Sequence, residues 1–182
     1  MADMLGQKLG IKVYDDELIA EAARKSGFSI DLFQDNDERK KVFGIGNIFS
    51  SNRFGSYTQS GINGSSLFQI QSDAIREIAS RESAVFVGRA SDYILRDMDC
   101  LDVFICAPME HRKDRISERL KVSPEEAEKM ILKRDRDRKS YYDFFTFGDN
   151  WGQAANYDLC LDSSIKGIEG TADFIIEFGE FL

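Results

Sequence analysis

Two short apolar runs constrain this chain most. Residues 84–87 (AVFV) and 102–107 (DVFICA) show no clean alternation of apolar and polar side chains. A strand with one wet face alternates, so unbroken apolar strands predict burial on both faces, the mark of a parallel sheet under helices. The segments around them carry helical spacing. A helix is expected over 2–9, stopped by Gly10, then a short strand over 11–14. Asp15 or Asp16 caps the next helix, which runs to about Lys25 with Leu18, Ile19, Ala22 and Ala23 on its apolar face. Ser65 or Ser66 opens a helix to about Ser80, with Leu67, Ile70, Ala74, Ile75 and Ile78 inward.

After the second apolar run a helix is expected over about 109–120. The next has a complete start signal, with Ser123 as cap, Pro124 at the first position and Glu126 three residues beyond the cap. Ala127, Met130 and Ile131 carry its apolar face. A strand over 157–161 and a helix over about 168–178, apolar at Ile168, Ala172, Ile175 and Ile176, close the chain. This order predicts an α/β layer protein, a parallel sheet with helices on both faces. Ligands of such folds sit beyond the carboxyl ends of the strands, where Asp15, Gly88, Arg89, Pro108 and Asp162 fall.

Composition narrows the function. The 182 residues suit one domain, or one with a mobile subdomain, and 42% hydrophobic residues supply a real core. A net charge of −8 argues against a generally basic nucleic-acid binder. The apolar runs are strand-sized, so no membrane span is expected, and no secretory signal opens the sequence. Cys100, Cys106 and Cys160 lack zinc or redox spacing and read as core or near-core hydrophobes in a reduced, cytoplasmic setting. No H-E-x-x-H or calcium loop occurs, so no protein metal site is expected.

Charge is segregated. Residues 110–139 hold 11 Lys or Arg and 8 Asp or Glu, a net of +3 in an acidic protein. Arg112, Arg115 and Arg119 share a helix face, and Arg134, Asp135 and Arg138 lie close together on the following helix. Two arginine-bearing helices joined by a short turn can close over a phosphate, because the guanidinium fork meets phosphate oxygens in pairs. The same pattern also describes a solvated face laced with ion pairs. Arg89, just beyond a buried strand and Gly88, reads as a ligand-binding cation or a structural ion pair. Tyr141, Tyr142, Phe144, Phe145, Phe147 and Trp151 read chiefly as a packing cluster, with a base-stacking platform as the second reading.

Gly88-Arg89, DVFICAP followed by Arg112 and Arg115, SPEEAEKMILKRDRDRKSYY and NYDLCLDSS, together with GIKVYDDELIAEAARKSGFS, resemble the cytidylate kinase-like family of the nucleoside monophosphate kinases. The resemblance covers almost the whole chain. It implies a single domain over 1–182, with a monophosphate-binding insertion at 28–64, rich in glycine, and a helical lid-like excursion at 110–142. It implies transfer of the terminal phosphoryl group of ATP, with magnesium, to a nucleoside monophosphate such as CMP. By the same resemblance Arg89, with Gly88 and Arg134, binds the acceptor. Arg112 and Arg115 are lid-side arginines, and Asp135 and Arg138 touch nucleotide and phosphates.

Two departures accompany the resemblance. Classical members carry aspartate after the arginine that matches Arg89, and here Ala90 stands there, which weakens the case for cytosine. The family also opens with a strand and a glycine-rich phosphate loop, whereas no G-x-x-x-x-G-K-[ST] occurs in this sequence. In the family's 2-3-1-4-5 strand order the missing strand falls between 84–87 and 102–107. A sequence begun too late, a loss of ATP chemistry with the nucleotide site kept, or a gap filled by another chain in an oligomer would each account for this. The expectation is a kinase-like protein with impaired phosphoryl transfer; the alternative is a non-catalytic nucleotide- or anion-binding protein on the same fold.

Overall fold

A computed structural model of the chain describes residues 1–25 and 64–180. The expected insertion at 28–64 lies outside the described residues but for Gly64. In chain order the described elements are α1 (Ala2–Leu9), β1 (Lys12–Tyr14), α2 (Asp16–Lys25), α3 (Gly64–Arg81), β2 (Ala84–Phe86) and α4 (Ser91–Leu95). They continue with β3 (Val103–Cys106), α5 (Met109–Leu120), α6 (Pro124–Phe145), a 3₁₀ turn (Ala154–Asn156), β4 (Leu159–Asp162) and α7 (Ser163–Gly179). The chain is α/β, with helices flanking short parallel strands.

The strands form two separate parallel ladders, β1 with β2 and β3 with β4. Tyr14 is in register with Phe86, and Phe104 with Cys160. Within each ladder the two strands are neighbours in the expected strand order. The chain divides into two compact units, one of Ala2 and Gly10–Asp99, the other of Met1, Asp3–Leu9 and Cys100–Leu182.

In the Gly10–Asp99 unit, α2 and α3 pack on the β1–β2 ladder. Ile19, Ile75, Ile94 and Leu95 form its core, with Tyr14, Phe68 and Phe86 against them. The first turn of α2 is capped by Asp15, whose Oδ1 accepts from the backbone N–H groups of Glu17 and Leu18. Leu18, expected on the buried face, is 44% exposed, and Ala20 takes its place inside. Gln71 and Ser72 are also buried. Their polar groups are satisfied by carbonyls of Arg89 and Phe68, which makes burial tolerable.

In the Cys100–Leu182 unit, α5 and α6 form an antiparallel pair, joined through Lys121 in a left-handed conformation (φ 57°). The capping box at the start of α6 is present: Ser123 Oγ accepts from Glu126 N–H, and the Glu126 carboxylate accepts from Ser123 N–H. Ala127 and Ile131 are buried, whereas Met130 is exposed. Gly152 has φ 75°, and a Cβ there would stand 2.9 Å from the Phe104 ring, so the strand's aromatic packs directly on glycine backbone. Phe104 also meets Trp151 edge-on and Tyr157, with ring centroids 5.3 and 5.1 Å away. Helix α7 is broken at Gly167 (φ 68°, ψ −176°), so its regular part begins at 168 as the spacing predicts.

Two expectations are corrected here. All three cysteines are exposed. Cys100 precedes β3, Cys106 ends it, and Cys160 lies on β4 of a two-stranded ladder, which leaves them outside the core. Neither apolar strand is buried on two faces: Ala84, Val85 and Phe86 are half-buried and Val87 is exposed, and Val103 and Phe104 are half-buried while Ile105 and Cys106 are exposed.

Candidate anion-binding site

The helical pair α5–α6 brings three of the expected residues together. The Arg112 guanidinium meets the Asp135 carboxylate with both terminal nitrogens, Nη1 to Oδ2 at 2.7 Å and Nη2 to Oδ1 at 2.8 Å. Arg138, one turn beyond Asp135, donates to Oδ1 at 3.3 Å. The first contact ties α5 to α6 in the bidentate geometry that makes such pairs specific as well as strong. The second is a local contact within α6. Exposure separates the two arginines: Arg112 is 30% exposed at its side chain and Arg138 is 55%.

A second link between the helices lies nearer the turn. Lys113 Nζ contacts Glu110 on its own helix at 2.8 Å and Glu128 of α6 at 3.6 Å. The hydrogen bond to Glu110, aided by both carboxylate charges, raises the Lys113 pKa above its ordinary value, so this cation stays fully charged at neutral pH. Arg115 and Arg134 are exposed, and neither has a hydrogen-bond or ion-pair partner among the described residues. Of the six arginines on the pair, Arg112 is tied, Arg138 is loosely held, and Arg115, Arg119, Arg134 and Arg136 are exposed, all within a single unit.

Arg89 and Gly88 belong to the other unit. Gly88, Arg89 and Ala90 are three successive left-handed residues, with φ 69°, 61° and 54°. Non-glycine residues adopt this conformation at a cost of about 1–2 kcal/mol each, and it is rare for them in succession. Arg89 Nη2 donates to Asp16 Oδ2 at 2.8 Å, and the Arg89 carbonyl accepts from Gln71 Nε2 at 3.4 Å. The Arg89 side chain is 15% exposed. Ala90 is buried at the start of α4, so no carboxylate stands at the position where the family resemblance expects aspartate.

Sequence reasoning missed Asp16 as the partner of Arg89. The signal was the Asp15-Asp16 doublet: a helix needs one cap, which leaves the second carboxylate for another task. The aromatic segment after Arg138 is mainly packing. Tyr142 and Phe145 are buried, and Phe145 contacts Tyr141 and Phe144. Phe147 alone stands nearly fully exposed, at 90%.

Among the described residues no three His, Cys, Asp or Glu side chains converge as a metal cage. Magnesium commonly rides on nucleotide phosphates with one or two carboxylates and waters, and needs no such cage. No helix among them is long and apolar enough to cross a membrane.

A family model described as the cytidylate kinase-like family matches residues 1–165. Among solved structures, the chain is similar to an uncharacterized protein from Eubacterium ventriosum ATCC 27560. The two share 25% identity with a TM-score of 0.73, over 100% of this chain and 90% of that one. No curated protein matches.

Proposed function

This chain belongs to the cytidylate kinase-like family, and on that premise we propose that it binds a nucleoside monophosphate through arginines of its α5–α6 pair. The observation that carries the reading is the meeting of Arg112 and Arg138 on one carboxylate. Arg112 is fixed by two short contacts, so it serves as a preset cation. Arg138 is longer-bonded and more exposed, so a phosphate competes for it at small cost. Asp135 sets the spacing between them, and Arg115 and Arg134 add positive potential on the same two helices. For Arg89, which belongs to the other unit, the acceptor-phosphate role that the family resemblance implies is proposed separately.

The parent activity of this reading is phosphoryl transfer from ATP to a nucleoside monophosphate. Arginines there neutralise charge spread over the transferring group, and magnesium carried by the nucleotide shares that task. The sequence holds no G-x-x-x-x-G-K-[ST] to cradle donor phosphates. That observation favours the second reading, nucleotide binding with little turnover in the 182-residue chain. Following ADP release from ATP across CMP, UMP, AMP and GMP decides between them. Robust turnover with any acceptor establishes the kinase reading; monophosphate binding by calorimetry without ADP release establishes the other; neither result would overturn both.

A further inference from the structure

The Asp16–Arg89 contact gives a largely buried guanidinium its counter-charge and, in doing so, fixes where that guanidinium points. Asp15 already caps α2, so Asp16 is not needed for the helix start. The apolar cluster of Ile19, Ile75, Ile94 and Leu95 under α2 and α3 closes without help from an ion pair. Yet Arg89 is constrained twice. Its backbone sits in the middle of the left-handed run, with its carbonyl on Gln71, and its guanidinium is bonded to Asp16, 73 residues away in sequence. A long side chain that is free to move loses rotamer freedom when it grips a ligand, and prior fixing removes that loss.

We infer that Asp16 is a positioning residue, holding the Arg89 guanidinium in the orientation in which it receives a phosphate. The inference rests on the proposed role of Arg89 as a phosphate-binding arginine. Its sign is opposite to that of simple electrostatics. Removing a carboxylate beside a phosphate-binding arginine raises the local positive potential, and Coulomb attraction alone would then tighten the binding of a dianion. A positioning role makes the same change weaken it.

The test is calorimetry of the full chain with CMP and with cytidine, for wild type, Arg89→Ala, Asp16→Asn and Asp16→Glu, with thermal melting of each. Asp16→Asn, which keeps an acceptor but not the charge, is expected to lower Tm modestly and to weaken CMP about tenfold while leaving cytidine affinity nearly unchanged. Asp16→Glu, which keeps the charge but moves it by one methylene, is expected to fall between. Arg89→Ala with a large loss of CMP affinity, but Asp16→Asn equal to wild type or tighter, overturns the positioning role and leaves the phosphate role of Arg89 standing. Arg89→Ala with unchanged CMP affinity overturns the phosphate reading and the inference with it.

Discussion

Arg112 holds Asp135 across the α5–α6 pair with two hydrogen bonds of 2.7 and 2.8 Å, whereas Arg138 reaches the same carboxylate with one bond of 3.3 Å. One carboxylate thus serves a cross-helix tie and a looser local contact, and the two arginines should respond differently to mutation. Arg138→Ala is expected to weaken monophosphate affinity about tenfold or more, the usual worth of a charge-assisted hydrogen bond, with Tm changed by less than about 2 °C. Arg112→Ala is expected to lower both affinity and Tm, because it removes the tie between helices. Calorimetry and melting of the two variants check this.

Gly152 is the tightest glycine of the Cys100–Leu182 unit. Gly152→Ala sets a methyl group 2.9 Å from the Phe104 ring at a φ of 75°. The expected cost is about 2 kcal/mol, from crowding and left-handed strain together. Urea unfolding measures it. The Phe104 contacts with Trp151 and Tyr157 should loosen as well, which tryptophan fluorescence reads.

The α6 start depends on its capping box. Ser123→Ala removes the acceptor for Glu126 N–H and is expected to cost about 1 kcal/mol. Ser123→Asp, which keeps an acceptor, is expected to restore most of it. Chemical denaturation of both variants tests the cap.

A pH dependence follows from the Gly10–Asp99 unit. Glu82 accepts hydrogen bonds from Lys12 and from the Tyr14 hydroxyl, and these hold its carboxyl below the ordinary 4.5. The Lys12 pKa is raised above 10.5, by the same hydrogen bond to Glu82 first. A lowered acid stabilises the fold above its unfolded pKa, and that contribution is lost as pH falls through the folded value; a raised base contributes below its unfolded pKa and loses it as pH climbs. Glu82→Gln should therefore melt below wild type between about pH 5 and 10. The gap should close in acid below the lowered carboxyl. Melting curves across pH would show it.

Much of this fold was legible in the sequence because local signals agreed with the final packing. Ser123, Pro124 and Glu126 marked the start of α6, and the spacing of Ile70, Ala74 and Ile75 marked the inward side of α3. Periodicity does not reveal which apolar residue is left outside, so Leu18 and Met130 were misplaced. Helix α4 was not legible, since it spans five residues and its cap position is Ala90, which offers no side-chain acceptor. Within the candidate site, the Asp135–Arg138 contact follows from three-residue spacing on one helix. The Arg112–Asp135 and Arg89–Asp16 pairs join residues 23 and 73 positions apart, and only tertiary packing brings them together.

The most direct test of the central claim is calorimetry of the 182-residue chain with four nucleoside monophosphates and their nucleosides, repeated with Arg138→Ala. At least one monophosphate is expected to bind ten times or more tighter than its nucleoside, with that advantage largely lost in a variant that melts like wild type. A chain that binds no monophosphate better than its nucleoside, or one whose preference survives Arg138→Ala intact, would contradict it.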